Sequence, residues 1–218
     1  MTWTDKGFFN ASVGLQTGSD TLATATTFDL YDETASVATS QKVSGGAFFD
    51  LTAGYKVRRN LAAAVGYSRS GSSGDAVIAA SIPDPRVHDR PRPITASASD
   101  LNHSESAIHL MGVWMVPVTD KIDVGISAGP TVFMVKQDLP SALAVSEPGP
   151  TVTNVTVTKA DKTTVGINLG VDVTYLITPR WGVGGLARFT YGSAELEGAT
   201  EKLSTGGFQI GGGLRVRF

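Results

Sequence analysis

Gly211-Gly-Gly-Leu-Arg-Val-Arg-Phe218 closes the chain with a strict alternation: Leu214, Val216 and Phe218 on one side, Gly213, Arg215 and Arg217 on the other. Counting back adds Gly212, Ile210 and Phe208 to the first set and Gly211 and Gln209 to the second. Successive side chains of a strand point to opposite faces, so this is a strand with one apolar face and one polar or side-chain-free face.

Seven upstream segments repeat the pattern. The first carries Phe9, Ala11, Val13 and Leu15 against Asn10, Ser12, Gly14 and Gln16. Phe49 to Val57, Leu61 to Tyr67, Ile108 to Val116 and Ile122 to Val132 follow with the same period. The cleanest sets Val165, Ile167, Leu169, Val171, Val173 and Tyr175 against Gly166, Asn168, Gly170, Asp172 and Thr174. Trp181, Val183, Ala187, Phe189 and Tyr191 complete the set. Each segment is close to the 9–11 residues, roughly, that a tilted strand needs to cross a bilayer.

Three connections are tight: Arg58-Arg59-Asn60, Thr119-Asp120-Lys121 and Thr178-Pro179-Arg180. They alternate with long ones, roughly Gly18–Gly45, Ser70–Glu105, Gln137–Lys162 and Glu195–Thr205. Short turns at one end and long loops at the other, on an even number of strands, is the pattern of an outer-membrane barrel. Tyr55, Trp114, Tyr175, Trp181 and Phe218 fall near the short turns, where an aromatic girdle would sit. The fold class expected is therefore all-β, a closed antiparallel eight-stranded transmembrane barrel, with residues 1–218 as one domain. A lipocalin-like soluble barrel also has eight strands, but its apolar face lines a ligand cavity. The Gly, Ser, Thr, Asn and Arg of the polar face suit a crowded lumen better than a soluble exterior, which favours the membrane reading.

Composition narrows the function classes. With 41% hydrophobic and 17% charged residues the chain is not disordered, and a net charge of -2 argues against nucleic acid as a partner. The absence of cysteine excludes disulfides and thiolate metal sites. Only His88, His103 and His109 occur, and no two share a usual ligand spacing, so neither a metal site nor a cofactor is expected. No run approaches the roughly 18 apolar residues of a membrane helix. The start Met-Thr-Trp-Thr-Asp lacks the basic and apolar regions of a signal peptide. The expectation is a mature sequence carrying an initiator Met.

On these alternating segments and the terminal Phe218, the chain resembles the eight-stranded barrel domain of the outer membrane protein A family, without that family's periplasmic domain. The resemblance implies a bacterial outer-membrane location, contact with outer-membrane lipid and lipopolysaccharide, and recognition by the barrel-insertion machinery. Phe208, Ile210, Leu214, Val216 and Phe218 would form the insertion signal. Cell-wall anchoring is not implied.

Inside such a barrel lies a charged set: Asp50, Lys56, His109, Asp123, Asp172, Arg188, Arg215 and Arg217. Enclosed charges must pair, because an unpaired buried charge is costly. The set reads first as a salt-bridge plug, with Arg188–Asp172 the expected pair on neighbouring strands, and second as the gate of a narrow pore. The second long loop, Ile82 to Pro93, holds four prolines, which disfavour helix and central strand, and concentrates Arg86, Arg90 and Arg92. These arginines are candidate contacts for lipopolysaccharide phosphates or an acidic surface partner. Thr151 to Thr158 and Thr21 to Tyr31 alternate β-branched or apolar residues and suggest hairpins rising above the bilayer. His103-Ser104-Glu105-Ser106 invites a lipid A deacylase reading, but a strand puts His103 with Glu105 and Ser104 with Ser106, on opposite faces. The function expected is a non-catalytic structural and surface-interaction protein, with a narrow pore as the alternative.

Overall fold

The computed structural model describes residues 2–196 and 202–218. Ten antiparallel strands follow one another: β1 (Gly7–Thr17), β2 (Ser19–Leu30), β3 (Glu33–Ser44), β4 (Ala47–Arg58), β5 (Leu61–Asp84), β6 (Val87–Pro117), β7 (Ile122–Ser146), β8 (Thr151–Leu176), β9 (Trp181–Ala194) and β10 (Leu203–Arg217). Eight of them close a ring in the order β1-β4-β5-β6-β7-β8-β9-β10, sealed where β1 pairs with β10 from Phe8↔Arg217 to Thr17↔Phe208. In that ring the alternation is obeyed with the apolar set outward: Val13, Leu51, Val65, Leu110, Ile167 and Ile210 are exposed. Arg188, Arg215, Arg217 and His109 are buried inside. A lipocalin-like arrangement would have the reverse.

The outward apolar belt is bounded by two aromatic levels. Tyr55, Trp114, Tyr175, Trp181 and Phe218 stand exposed at the short-turn end, and Phe49, Phe189, Tyr191 and Phe208 at the other. The ten residue steps from Trp181 to Tyr191 rise about 33 Å along the strand, or about 25 Å along the normal at a tilt of about 40°, the height of a bilayer's apolar band. Two of the short turns share one device. Thr119 Oγ1 accepts the Ile122 N–H at 3.0 Å, and Thr178 Oγ1 accepts that of Trp181 at 3.0 Å. A threonine three residues before the strand caps each turn where no glycine is present.

The hairpins expected at Thr21–Tyr31 and Thr151–Thr158 are present, and the rest of the long connections is also strand where loop was expected. Gly18–Gly45 is largely the β2–β3 hairpin, while Ser70–Glu105 and Gln137–Lys162 are continuations of β5, β6, β7 and β8. β6 runs for 31 residues, about three times what a bilayer requires. The prolines permit this because β6 pairs only with β5 before His103 (Pro83↔Pro91, Ser81↔Pro93), so the missing N–H groups fall on an edge. Above the belt, β2, β3, β5 and β6 form one sheet and β7–β8 a facing hairpin. Val37, Ile78, Ala80, Leu101 and Leu143 fill the space between them. The fourth connection, Glu195–Thr205, lies partly outside the described residues.

Because the face carrying Leu169 meets lipid and that carrying Thr156 meets water, arginine should distinguish them. Leu169→Arg is expected to destabilise the refolded protein by about 2–4 kcal/mol, and Thr156→Arg by less than about 0.5 kcal/mol. Urea unfolding from phospholipid vesicles measures both; equal small effects would show that the Leu169 face meets water.

Candidate functional site

From the short-turn end upward, the lumen is filled in layers. The lowest is apolar: Trp3 and Phe8 meet edge to face with ring centroids 6.3 Å apart, packed with Met111, Val113 and Met115. Lys56 belongs here and not to the charged set. Its Nζ bonds the Trp3 carbonyl and lies 5.5 Å from the centre of the indole ring. Trp3 precedes the first strand, so no alternation pointed to it.

Three ion pairs form the next layers, and the partners differ from the expected Arg188–Asp172. Arg217 forks onto Asp123 (Nη2–Oδ1 2.9 Å, Nε–Oδ2 3.3 Å) and also donates to Asn10 and Thr174. Arg215 forks onto Asp172 (Nη2–Oδ2 2.6 Å, Nε–Oδ1 2.9 Å). Arg188 reaches across the lumen to Asp50, with Nη2–Oδ2 at 2.6 Å. Gly184 explains the exchange: a Cβ there would stand 2.8 Å from Arg215 Nε, so only a glycine lets that arginine pass over β9 to β8. With Asp172 taken, Arg188 turns to the opposite wall. Its Nε and Nη1 have no protein partner among the described residues, and they border a cavity of about 30 Å³, room for about two waters.

His109 lies above, hydrogen-bonded to hydroxyls and not to a carboxylate: Ser68 Oγ at 2.9 Å and Thr131 Oγ1 at 2.9 Å. Next, the Phe133 ring lies inside the lumen over the adjoining strands β8 and β9. Cβ atoms at Gly166 and Gly192 would stand 2.8 and 2.9 Å from it, so the phenyl fits only because both positions lack side chains.

A polar layer that the alternation did not single out follows. Gln16 Nε2 donates to Glu105 at 2.9 Å and Gln209 Nε2 to Gln16 Oε1 at 2.8 Å. Gln137 gives its amide N–H to the Asp138 carbonyl at 3.1 Å, so its Oε1 accepts from His103 Nδ1–H at 2.7 Å. His103 Nε2 then faces Glu105 Oε1 at 3.3 Å. Gln16 and Gln209 sit on inward positions of segments already read as strands, but Glu105 and His103 fell in a stretch read as loop. His103 and Glu105 point inward, whereas Ser104 and Ser106 lie on the other face. A histidine–serine pair for deacylation is therefore absent from this motif.

At the far end, the hairpin tips are tied together. Arg92 donates to both carboxylate oxygens of Glu147 (2.9 and 2.5 Å) and to the Pro83 carbonyl (2.8 Å), while Tyr31 Oη donates to Glu147 at 3.3 Å. Arg92 thus serves as an internal clamp, and of the three loop arginines only Arg86 and Arg90 remain exposed. The Arg92 hydrogen bonds, ahead of its charge, hold the Glu147 carboxyl below the usual carboxylate range.

The profile of the outer membrane protein beta-barrel domain family matches residues 4–218. No curated protein sequence matches. Among solved structures, the outer membrane protease OmpT of Escherichia coli aligns at 10% identity with a TM-score of 0.57, over 100% of this chain and 98% of that one. Neisserial surface protein A aligns at 15% identity and a TM-score of 0.48, covering 97% of each chain. The attachment invasion locus protein Ail of Yersinia pestis, in a structure with the heparin analogue sucrose octasulfate, aligns at 9% identity and a TM-score of 0.41, over 96% and 99%. At such identities the likeness is one of fold. The closed ring, its lipid-facing belt and the match over nearly all residues agree: the chain belongs to the outer membrane protein beta-barrel domain family and resides in the bacterial outer membrane.

Proposed function

We propose that this protein is a closed, non-catalytic scaffold that holds an ordered β platform outside the cell for contact with a surface partner. The observation that carries the reading is the filled lumen. Trp3 blocks the periplasmic mouth, three guanidinium–carboxylate pairs span the middle, and the buried Phe133 ring fills lumen space above them beside β8 and β9. A path for solutes would require breaking several of these at once. The extension supports the second half of the reading, since it has its own apolar interior and a clamp at its tips. Arg86 and Arg90, left exposed at the β5–β6 tip, are the contacts assigned to lipopolysaccharide phosphates or another acidic surface. The same reading includes Phe208, Ile210, Leu214, Val216 and Phe218 as the strand read by the insertion machinery.

Protein inserted in a planar bilayer is expected to be silent, with insertion shown independently by protease protection. Asp50→Asn should cost about 3–5 kcal/mol, because it strands Arg188 in the lumen, yet leave the bilayer silent. Voltage-stable steps from the parent protein would overturn the closed reading.

Acid should loosen the tip clamp. Glu147 is held below its ordinary range in the folded protein, so its stabilising pairing is present above that range and lost as pH falls through the depressed value. The protection factors of amides at the β7–β8 tip, which divide out the intrinsic exchange rate at each pH, should therefore fall on acidification, and Glu147→Gln should show low protection at every pH. Protection factors independent of pH in the parent would show that the clamp does not hold the tip.

A further inference from the structure

Two hairpin tips meet at a second point, beside the Arg92–Glu147 clamp. Glu33 opens β3 just after the β2–β3 turn, and His88 and Asp89 lie just after the β5–β6 turn, more than fifty residues away in sequence. Glu33 Oε1 stands 3.0 Å from His88 Nδ1, and Glu33 Oε2 accepts the Asp89 N–H at 3.1 Å. Asp89 adopts a left-handed backbone (φ 57°), a conformation aspartate tolerates better than most residues, and its carboxylate lies 3.8 Å from His88 Nε2. One ligand atom from each of the three residues falls within 4.8 Å of the others.

We propose that Glu33, His88 and Asp89 form a divalent transition-metal site, suited to zinc, that bridges the two tips outside the membrane. Two ligands on a tetrahedral zinc, with arms of about 2.0–2.2 Å, stand about 3.3 Å apart, close to the Glu33–His88 separation. Only the exposed Asp89 carboxylate has to turn to complete the set. The imidazole distinguishes this group from a patch of surface acids. One nitrogen and two carboxylate donors suit zinc, whereas calcium takes six to eight oxygens, roughly, and would find too few here. Three protein ligands leave a fourth position open to water or to a donor from outside. Glu33 is the anchor, its side chain only 16% exposed against 78% for His88 and 89% for Asp89. The clamp between Arg92, Glu147 and Tyr31 restrains the same tips independently, so little backbone ordering is left for the ion to impose. Arg86 and Arg90 flank the group in sequence and oppose the cation, which sets a modest affinity. No usual ligand spacing announced the site, because one ligand comes from a different hairpin.

The test is calorimetric titration of the refolded full chain in detergent with zinc chloride, and separately with calcium chloride. One zinc per chain should bind, with His88→Ala and Glu33→Gln each weakening it at least tenfold. Asp29→Asn, which removes an exposed acid from the same region, should leave it unchanged. Gel mobility without heating establishes that each variant is folded. Uptake equal in parent and His88→Ala, saturation by calcium but not zinc, or no saturable heat at all would overturn the proposal.

Discussion

Hydrocarbon offers no partner to a backbone N–H or C=O, and every other feature of this protein follows from meeting that constraint by closure. The ring is sealed by β1 against β10, ten consecutive residue pairs from Phe8↔Arg217 to Thr17↔Phe208 that leave no open edge in the belt. Closing eight strands fixes a narrow bore, and a narrow bore fixes what its inward faces can hold. Glycine is needed wherever a long side chain from a nearby strand lies across the inner face of the wall. Gly184 beneath Arg215, and Gly166 and Gly192 against Phe133, show this directly.

The charged side chains answer the same constraint from within. Each guanidinium in the bore is desolvated, and the compensating carboxylate sits on a strand that is not its hydrogen-bonded neighbour. Arg217 of β10 pairs with Asp123 of β7, Arg215 of β10 with Asp172 of β8, and Arg188 of β9 with Asp50 of β4. The pairs therefore brace strands two or three places apart in the ring. The last strand is tied to β7 and β8 as well as to β1 and β9, so the closure that completes the ring also completes two of its three internal pairs. Such pairs contribute less to net stability than their short distances suggest, since both partners have left water. Their effect is on geometry: removing either member leaves a charge with nowhere to go.

Strand number, direction and the sense of the two faces were legible because a period of two is a local property of consecutive residues. The charge partners were not, because they depend on which side chains the lumen lets past. Arg188 and Asp172 lie on adjacent strands, yet the absence of a side chain at Gly184 hands Asp172 to Arg215. Outside the hairpins expected at Thr21–Tyr31 and Thr151–Thr158, the long connections were misread as loops for a different reason. Serine, threonine, alanine and proline punctuate a strand poorly on paper, but on an edge, or facing water, they extend one without penalty. His103, Glu105, Glu33 and His88 fell in those stretches, so the groups they form were invisible until the hairpins were placed.

The extension is written in the same alternation with its chemistry exchanged. Along β5 the inward positions run Ser68 and Ser70, then Ala76, Ile78, Ala80 and Ile82, while the outward positions run Leu61, Val65 and Tyr67, then Asp75, Val77, Ala79 and Ser81. Along β7 the inward positions change from Asp123, Ser127 and Thr131 to Phe133 and Val135, and the outward positions from Ile126 and Val132 to Lys136. Parity is unchanged on these two strands; the inward face turns apolar and the outward face becomes mixed. A strand that changes in this way has passed from one solvent into another, because its apolar face turns from lipid toward a core of its own. The change falls just beyond the outer aromatic level on both strands, and on β5 it coincides with a register shift against β6 between Gly74 and Ala76, so the boundary of the membrane is encoded in side-chain chemistry while each strand runs on. It also separates two cores, a polar one that closes the bore and an apolar one that stiffens the platform. The platform's order therefore rests on its own buried interior and tip contacts, and the outward surface is left to vary with whatever it meets.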